Sequence, residues 1–158
     1  MIDILPLNYD RSWSDLLSLS REFFAEYASH HPDFFKITDL KDEHINSYFA
    51  SFCGDESQAA FIAVEGERIL GYITVYVNEQ PEYWQVKNVG EISGLMVSMD
   101  YRRKGVGKGL LDKACEFLKS RGVQYFTTYT AVENQAGVNF YTACGLTPLY
   151  TTMMGRIL

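Results

Sequence analysis

A short stretch of the sequence combines basic side chains with glycines in a pattern typical of an anion-binding turn. Its members are Arg102, Arg103, Lys104, Gly105, Gly107 and Lys108. An apolar strand pattern precedes the stretch and a helical pattern follows it. The first turn of a helix has N–H groups without internal partners and lies at the positive end of the helix dipole. Because glycine has no Cβ, a phosphate group can approach such a backbone closely. The stretch therefore predicts a phosphate or diphosphate cradle, although its charges alone fit a solvated helix start equally well.

The spacing of this stretch excludes two common phosphate motifs. A Walker A loop has the form G-x-x-x-x-G-K-[ST], but Lys108 is followed by Gly109, and position 102 is Arg. A dinucleotide fingerprint has the form G-x-G-x-x-G, and the sixth position counted from Gly105 is Leu110. What remains is the pattern R-x-x-G-x-G directly after a strand.

The periodicity of apolar residues predicts the elements that position this turn. We expect strands over 2–7, 58–66, 69–77, 88–98 and 123–130, and helices over 12–29, 39–52, 105–120 and 135–144. Residues 78–87 read as a loop or a frayed strand end, and residues 146–158 read as strand-like. Gly94 lies inside a predicted strand, which indicates a β-bulge or a close backbone approach, with simple packing as the alternative. Strands and helices alternate in the second half, so we expect an α+β fold.

In this region the sequence resembles the GNAT superfamily of N-acetyltransferases. The acetyl-CoA signature of that superfamily is a strand, then the pattern [RQ]-x-x-G-x-[GA], then an amphipathic helix. A second match follows at Asn134 and Phe140-Tyr141, with Cys144-Gly145-Leu146 where the family often has x-Gly-Phe. The resemblance covers about residues 58–147, and the first 50 residues fit only in outline.

The resemblance implies one acetyltransferase domain over residues 1–158. Its fold would be a GNAT-like α+β arrangement, in which a mixed, mostly antiparallel central sheet is flanked by helices and splayed between the fourth and fifth strands. Thirteen residues follow Gly145, which suffices for one strand or a tight pair. An incompletely covered sheet edge would make a strand-mediated homodimer plausible.

In the GNAT family the strand pairs with the pantetheine arm of CoA, and the turn binds the CoA diphosphate through backbone amides. Carried over residue by residue, the resemblance gives the strand role to Leu95, Met96 and Val97. It gives cofactor contacts to Arg102, Arg103, Lys104, Gly105, Val106, Gly107, Lys108, Asn134 and Asn139. Asn134 also suits a helix cap, and the two roles are compatible. The implied co-substrate is acetyl-CoA, with no metal.

The resemblance also implies two catalytic side chains. Tyr141 matches the family tyrosine that often acts as a general acid toward the leaving CoA thiolate, and its alternative role is an aromatic on the buried face of a short helix. Glu91 stands where the histone-modifying branch keeps its general-base glutamate, and its alternative role is a solvent-facing carboxylate at a strand end. With a regular pleat, Glu91, Ser93, Leu95 and Val97 share one face. We expect the oxyanion donor to be a strand N–H near Met96 or Val97.

The acceptor side of the site is less defined by the sequence. In this family the first two helices and the loop after the third strand shape it, and here those segments carry Glu22, Glu26, Asp33, Glu79, Glu82, Phe34, Phe35, Tyr76, Tyr83 and Trp84. Acidic and aromatic side chains suit a cationic amine of a small molecule or a peptide, whereas the simpler explanation assigns most of them to core and surface. His30 and His31, next to Pro32, lack a third metal ligand and read as surface residues.

Composition limits the remaining function classes. The 158 residues carry a formal net charge of −6 and are 47% hydrophobic, which fits one folded domain and excludes disorder. No apolar run approaches the ~18 residues of a membrane span, the N-terminus lacks a signal-peptide pattern, and the acidic total argues against a nucleic-acid partner. Cys53, Cys115 and Cys144 are too widely spaced for a zinc site and favour a reducing, cytoplasmic location.

Two functions from other classes are alternatives to an acetyltransferase. A non-catalytic acyl-CoA-binding sensor would keep the glycine turn and could dispense with Tyr141. A nucleotide-binding regulator is disfavoured, because the Walker and dinucleotide spacings both fail. The presence of both Tyr141 and Glu91 favours the enzyme.

Overall fold

The computed structural model describes residues 1–158. Five strands are formed by β1 (Asp3–Pro6), β2 (Gln58–Glu65), β3 (Arg68–Glu79), β4 (Asn88–Val97) and β5 (Phe126–Thr128). Four helices are formed by α1 (Ser14–Ala28), α2 (Asp42–Ala50), α3 (Val106–Ser120) and α4 (Gln135–Ala143), with a short 3₁₀ turn at Met99–Tyr101.

The strands form one sheet in the order β1-β2-β3-β4-β5. The first four strands pair antiparallel, and β5 runs parallel to β4. The connection from β4 to β5 passes through α3, as a parallel crossover requires. The predicted α+β class with a mixed, mostly antiparallel sheet is therefore confirmed.

Each face of the sheet buries a separate apolar core. On one face α1 and α2 cover a cluster that includes Leu16, Phe49 and Tyr72. On the other face α3 covers a cluster that includes Ile73 and Leu110. The buried positions of α3 are Val106, Leu110, Leu111, Ala114 and Leu118, the i, i+4 stripe of an amphipathic helix. Both faces of the sheet are thus covered by helices.

Two predicted strands differ from the structure. The strand expected over 123–130 is shortened to Phe126–Thr128, because only three residues of β4 pair with it before the two strands part. Residues 146–158 form no strand, and after the Leu146 N–H no backbone group in this segment is hydrogen-bonded to the rest of the chain. The segment has strand-like composition, yet it lies exposed and pairs with nothing.

The remaining global predictions concern membranes and cysteines. None of the helices combines the length and apolarity that crossing a bilayer requires. Cys53, Cys115 and Cys144 are all free thiols. His30 lies against the Tyr27 ring, and no cluster of three or more His, Cys, Asp or Glu side chains is arranged to hold a metal ion.

Candidate active site

The main cavity of the protein is a cleft of about 1240 Å³ at the point where β4 and β5 diverge. The two strands pair only at Gly90, Glu91 and Ile92 of β4. The Thr128 hydroxyl then donates to the Ile92 carbonyl at 3.2 Å. This side-chain bond takes the place of the next main-chain hydrogen bond between β4 and β5. Beyond this position the two strands enclose the cleft instead of pairing with each other.

A β-bulge at Ser93 lies at the inner end of the cleft. Thr74 of β3 pairs with Gly94, and the next β3 residue pairs with Ile92, so Ser93 is the extra residue on β4. The bulge confirms one of the two interpretations of Gly94. The condition of a regular pleat, under which Glu91, Ser93, Leu95 and Val97 would share a face, therefore does not apply, because an extra residue reverses the facing of everything beyond it.

The reversal separates the residues that a regular pleat would place together. Glu91 lies opposite Tyr76, whose ring packs on Phe52 on the α1–α2 side. Leu95 and Val97 instead pack against the α3 core. Glu91 and Ser93 therefore face the α1–α2 side of the sheet, and Leu95 and Val97 face the α3 side.

Three hydroxyl groups fix the geometry of the bulge. The Ser93 Oγ lies 2.7 Å from Thr74 Oγ1, and the Tyr48 hydroxyl lies 2.9 Å from Thr74 Oγ1 and 3.1 Å from Ser93 Oγ. A Cβ on Gly94 would lie 3.2 Å from Thr74 Oγ1, so a glycine is the residue that fits beside this cluster. Sequence reasoning missed the cluster because its members come from α2, β3 and β4.

The outer edge of β4 exposes main-chain groups to the cleft. The Ser98 N–H donates to the Leu70 carbonyl of β3 at 2.7 Å, and because such ladders alternate, Met96 also directs its N–H and C=O toward β3. The Val97 carbonyl points the other way and accepts from Arg102 Nε at 2.9 Å. Of the two predicted oxyanion donors, Val97 rather than Met96 thus has its N–H on the cleft side.

The turn before α3 presents a row of free amides to the same cleft. Arg103 has φ +60° and Gly105 has φ +84°, both in the left-handed region, so the turn is concave. The first helical hydrogen bond runs from the Gly109 N–H to the Gly105 carbonyl at 3.0 Å. The N–H groups of residues 103–108 therefore have no main-chain acceptor, and they lie at the positive end of the α3 dipole.

The basic side chains around this turn differ in whether they already have a partner. The Arg102 guanidinium donates to the Glu26 carboxylate at 2.7 Å and thereby ties the turn to α1. The Lys108 Nζ contacts Asp112 at 2.6 Å, one helical turn away. The Lys104 Nζ lies 5.2 Å from the centre of the Tyr101 ring, outside the cleft lining. Arg103 lines the cleft without an ion-pair partner, so it is the most available of the four cations for an anion.

The predicted cofactor residues on α4 are held by local hydrogen bonds. The Asn134 Oδ1 accepts the Gly137 N–H at 3.1 Å, which is the predicted helix cap, and its Nδ2 donates to Thr130 Oγ1 at 3.1 Å. The Asn139 Oδ1 accepts from Gln135 Nε2 at 2.7 Å. Both asparagines line the cleft.

Tyr141 lines the cleft from α4. Burial raises the pKa of its phenol above the ordinary value, and the adjacent Thr128 hydroxyl opposes this rise only in part. The phenol consequently stays protonated throughout the neutral range, which is the form that a general acid needs.

Glu91 lines the cleft from β4 and has a fixed orientation. Its Oε2 accepts a hydrogen bond from Asn78 Nδ2 at 2.7 Å. Asn78 lies on β3 two residues beyond Tyr76, the partner of Glu91, so the two side chains share one face of the sheet. Sequence reasoning missed Asn78, because a polar residue near a strand end carries no distinguishing signal.

Most predicted site residues meet in this cleft. Those that line it are Glu91, Leu95, Met96, Val97, Arg102, Arg103, Gly105, Gly107, Lys108, Asn134, Asn139 and Tyr141. Val106 lies in the α3 core with 5% exposure, so only its main chain faces the turn. Of the acceptor-side candidates, Glu26, Phe34, Phe35 and Tyr76 line the cleft, whereas Glu22, Asp33, Glu79, Glu82, Tyr83 and Trp84 do not.

A comparison with protein families matches residues 13–146 to the acetyltransferase (GNAT) family. The chain belongs to this family. The GNAT match covers the turn, both catalytic candidates and α4, and it extends well into the first 50 residues, where the sequence had suggested only an outline.

Individual relatives of this GNAT protein are distant. An uncharacterized N-acetyltransferase of Methanocaldococcus jannaschii is 25% identical over 124 residues, which are 78% of this chain and 54% of that protein. The chain thus spans about half the length of that relative. A tetramutant of the BH1408 protein from Bacillus halodurans superposes with a TM-score of 0.84 at 17% identity, over 98% of this chain and 99% of that one. A complex of AAC(6')-Iy with the bisubstrate analogue CoA-S-monomethyl-acetylneamine superposes with a TM-score of 0.71 at 16% identity, over 100% of this chain and 99% of that one.

Proposed function

We propose that the chain, as a single domain over residues 1–158, is an N-acetyltransferase that moves the acetyl group of acetyl-CoA to a primary amine by direct attack. The observation that carries this proposal is the convergence of three features on one cleft: the free amides of the turn, the unpaired edge of β4, and the pair Glu91 and Tyr141. The free amides suit the diphosphate of a coenzyme, and the unpaired strand edge suits its extended pantetheine arm, which carries the thiol. The two side chains suit acyl transfer to an amine.

Acetyl-CoA fits the cleft as a co-substrate. The amides of residues 103–108 would accept its diphosphate, with Arg103 adding positive charge. A Cβ on Gly107 would lie 3.3 Å from the Phe140 ring, so that the glycine lets α4 pack closely against the start of α3 beside the turn. The Leu95 and Val97 main chain would pair with the pantetheine amides, as a neighbouring strand would.

The two catalytic side chains then divide the proton transfers. Glu91, oriented by Asn78, accepts a proton from the acceptor ammonium directly or through water, which frees the nitrogen lone pair. The nitrogen attacks the thioester carbonyl, and a main-chain N–H on the cleft side of β4 stabilises the resulting oxyanion. When the tetrahedral intermediate collapses, the C–S bond breaks and the thiolate takes a proton from Tyr141. The nitrogen gives its second proton, through water, to the resulting tyrosinate, and a neutral amide and CoA are released.

Replacement of Gly105 separates backbone strain from cofactor binding. Gly105 and Gly54 have φ +84° and +87°, and a Cβ on either would meet nothing within 4 Å. We expect Gly105→Ala and Gly54→Ala to lower the free energy of unfolding equally, by about 1–2 kcal/mol, because both force alanine into the left-handed region. Only Gly105→Ala should raise the KM for acetyl-CoA, by about tenfold or more, because it distorts a turn that donates to a charged group.

The measurements are chemical denaturation and thiol-release kinetics on both variants. Gly54→Ala serves as the control, because Gly54 lies outside the cleft lining. Equal KM values in the two variants would remove the turn from cofactor binding.

A thermal-shift experiment tests the proposed function itself. A ligand at 100 times its dissociation constant stabilises a protein by about 2.7 kcal/mol. We expect acetyl-CoA under such conditions to raise Tm by about 5–10 °C, and ATP and NAD to raise it much less. A shift with acetyl-CoA but no thiol release with any amine would favour the acyl-CoA sensor, and no shift would overturn both.

The acceptor, the compartment and the assembly belong to the same proposal. Glu91 supports a cationic small-molecule or peptide amine as the acceptor, and the three free thiols support a cytoplasmic location. The unpaired residues 146–158 and the uncovered edge of β5 support a homodimer. Light scattering on the full chain should then give twice 18.1 kDa.

A further inference from the structure

The acceptor end of the cleft is built mainly from aromatic rings. They are Phe23, Phe24, Tyr27, Phe34, Phe35, Tyr48, Tyr76 and Tyr129, which we call the aromatic wall. Its members come from α1, the segment after it, α2, β3 and the segment after β5. Aromatic rings offer apolar contact area together with negative faces for a cation.

The rings from α1 and the following segment support one another. Tyr27 stacks on Phe23 with centroids 5.3 Å apart and meets Phe35 edge-on at 4.8 Å. Phe34 meets Phe35 edge-on at 5.2 Å and is itself 65% exposed. These contacts hold the wall in place, while part of its apolar surface stays available to a ligand.

The tyrosines of the aromatic wall gather around Glu91. Burial, and then the proximity of Tyr48 and Glu91, raise the pKa of Tyr76 to about 12. Tyr76 is the β3 residue paired with Glu91, and Tyr48 and Tyr129 line the same cleft. Neutral phenol rings thus lie near this carboxylate, and such rings offer their faces to an ammonium group.

Glu91 is the one carboxylate of the cleft lining without a cationic partner. Glu26, the other carboxylate, is bound by Arg102. His44 uses its Nδ1 to accept the Lys41 N–H at 3.1 Å. The cations Arg103 and Lys108 lie at the other end of the cleft, beside the α3 turn. The acceptor end thus offers one site for a positive charge and no cation for a phosphate.

We propose that the acceptor is a small primary amine with a single positive charge and an aromatic or apolar body, whose body lies on the aromatic wall and whose ammonium lies beside Glu91. This inference rests on the proposed acetyl transfer and specifies its substrate class. A polyamine would leave its further charges unpaired against apolar rings, and a sugar phosphate would bring an anion to a wall without a cation. Each mismatch weakens binding of that amine, so the aromatic wall disfavours polyamines and sugar phosphates as acceptors.

A panel of three amines tests the substrate class on the wild-type chain. The probes are 2-phenylethylamine, spermidine and glucosamine 6-phosphate, assayed by thiol release with saturating acetyl-CoA. We expect kcat/KM for 2-phenylethylamine to exceed both others by at least about tenfold, because its ring buries apolar area on the wall. A higher kcat/KM for spermidine or glucosamine 6-phosphate would overturn the inference and leave the proposed function standing.

Calorimetry with the same three amines tests the inference without turnover. Tighter binding of 2-phenylethylamine than of the others supports it, and equal or weaker binding overturns it. Failure of the proposed function is recognised separately, because acetyl-CoA then produces neither a thermal shift nor thiol release.

Variants of Tyr129 test the role of the wall in recognising the cation. Tyr129 is 64% exposed, so its replacement should leave the fold intact. We expect Tyr129→Leu to raise the KM for 2-phenylethylamine by about three- to tenfold, and Tyr129→Phe to restore most of the loss, because the ring face and not the hydroxyl holds the cation. Tyr83→Leu is the control, since Tyr83 is 83% exposed and lies outside the cleft lining. An unchanged KM in Tyr129→Leu, or an equal rise in Tyr83→Leu, would contradict this role.

Discussion

Tyr141→Phe is expected to lower kcat by about 10²–10⁴-fold, the usual contribution of a general acid, and to leave the KM for acetyl-CoA within about twofold. The variant removes only the hydroxyl and keeps the ring that packs within α4 against Phe140. Without a proton donor the thiolate must leave unprotonated, so the loss should appear in the chemical step. Single-turnover kinetics with the preferred amine measure it.

The pH dependence of the wild type gives a second view of the same residue. The acid form of Tyr141 is the active one, and burial raises the pKa of its phenol above the ordinary value. The rate should therefore not decline between pH 7 and about 9.5 because of this group, whereas an unperturbed phenol with a pKa near 10 would begin to titrate there. Tyr125→Phe is the matched control, because Tyr125 is 61% exposed and does not line the cleft. A Tyr141→Phe rate within threefold of wild type would assign Tyr141 to packing alone.

Glu91→Gln is expected to have the second large effect, about 10²-fold or more on kcat/KM near neutral pH. The amide keeps the size of the side chain but cannot take the proton of the acceptor ammonium. Since alkylamines have pKa values near that of lysine, about 10.4, the fraction of free amine increases with pH. The loss should consequently be greatest at low pH and should shrink above pH 9, while the affinity for acetyl-CoA stays unchanged.

The pH–rate profiles of wild type and variant decide this prediction. Glu79→Gln is the control, since Glu79 is an exposed carboxylate at the end of β3 that does not line the cleft. A variant profile parallel to that of the wild type would mean that Glu91 binds the ammonium without accepting its proton.

The glycine turn before α3 could be predicted from the sequence because its signals are local. The left-handed φ of Gly105, the amphipathic stripe of α3 and the cap at Asn134 each depend on residues within a few positions of one another. The order of motifs along the chain then indicated the GNAT fold, and the family match over residues 13–146 confirms it. At residues 146–158 the strand-like composition predicted a strand, but the structure has none there, because the segment has no partner strand.

The arrangement around Glu91 was decided by contacts between distant elements. The single extra residue at Ser93 puts Glu91 on the opposite face from Leu95 and Val97. Gly94 indicated a bulge in this strand, but the alternating pattern did not show which residue is the extra one. The hydrogen bond from Asn78 depends on the pairing of β3 with β4, which the sequence pattern also does not fix. The aromatic wall likewise unites rings from five separate segments of the chain, each of which reads by itself as ordinary core.

The sequence by itself thus determined most of the elements, the glycine turn before α3 and the family, because each depends mainly on neighbouring residues whose backbone preferences are intrinsic. The tertiary structure alone decided which side chains face the acceptor, how the carboxylate is oriented and which charges are already paired. These properties depend on strand register and on the packing of residues far apart in sequence, where a shift by one position exchanges the two faces of a strand.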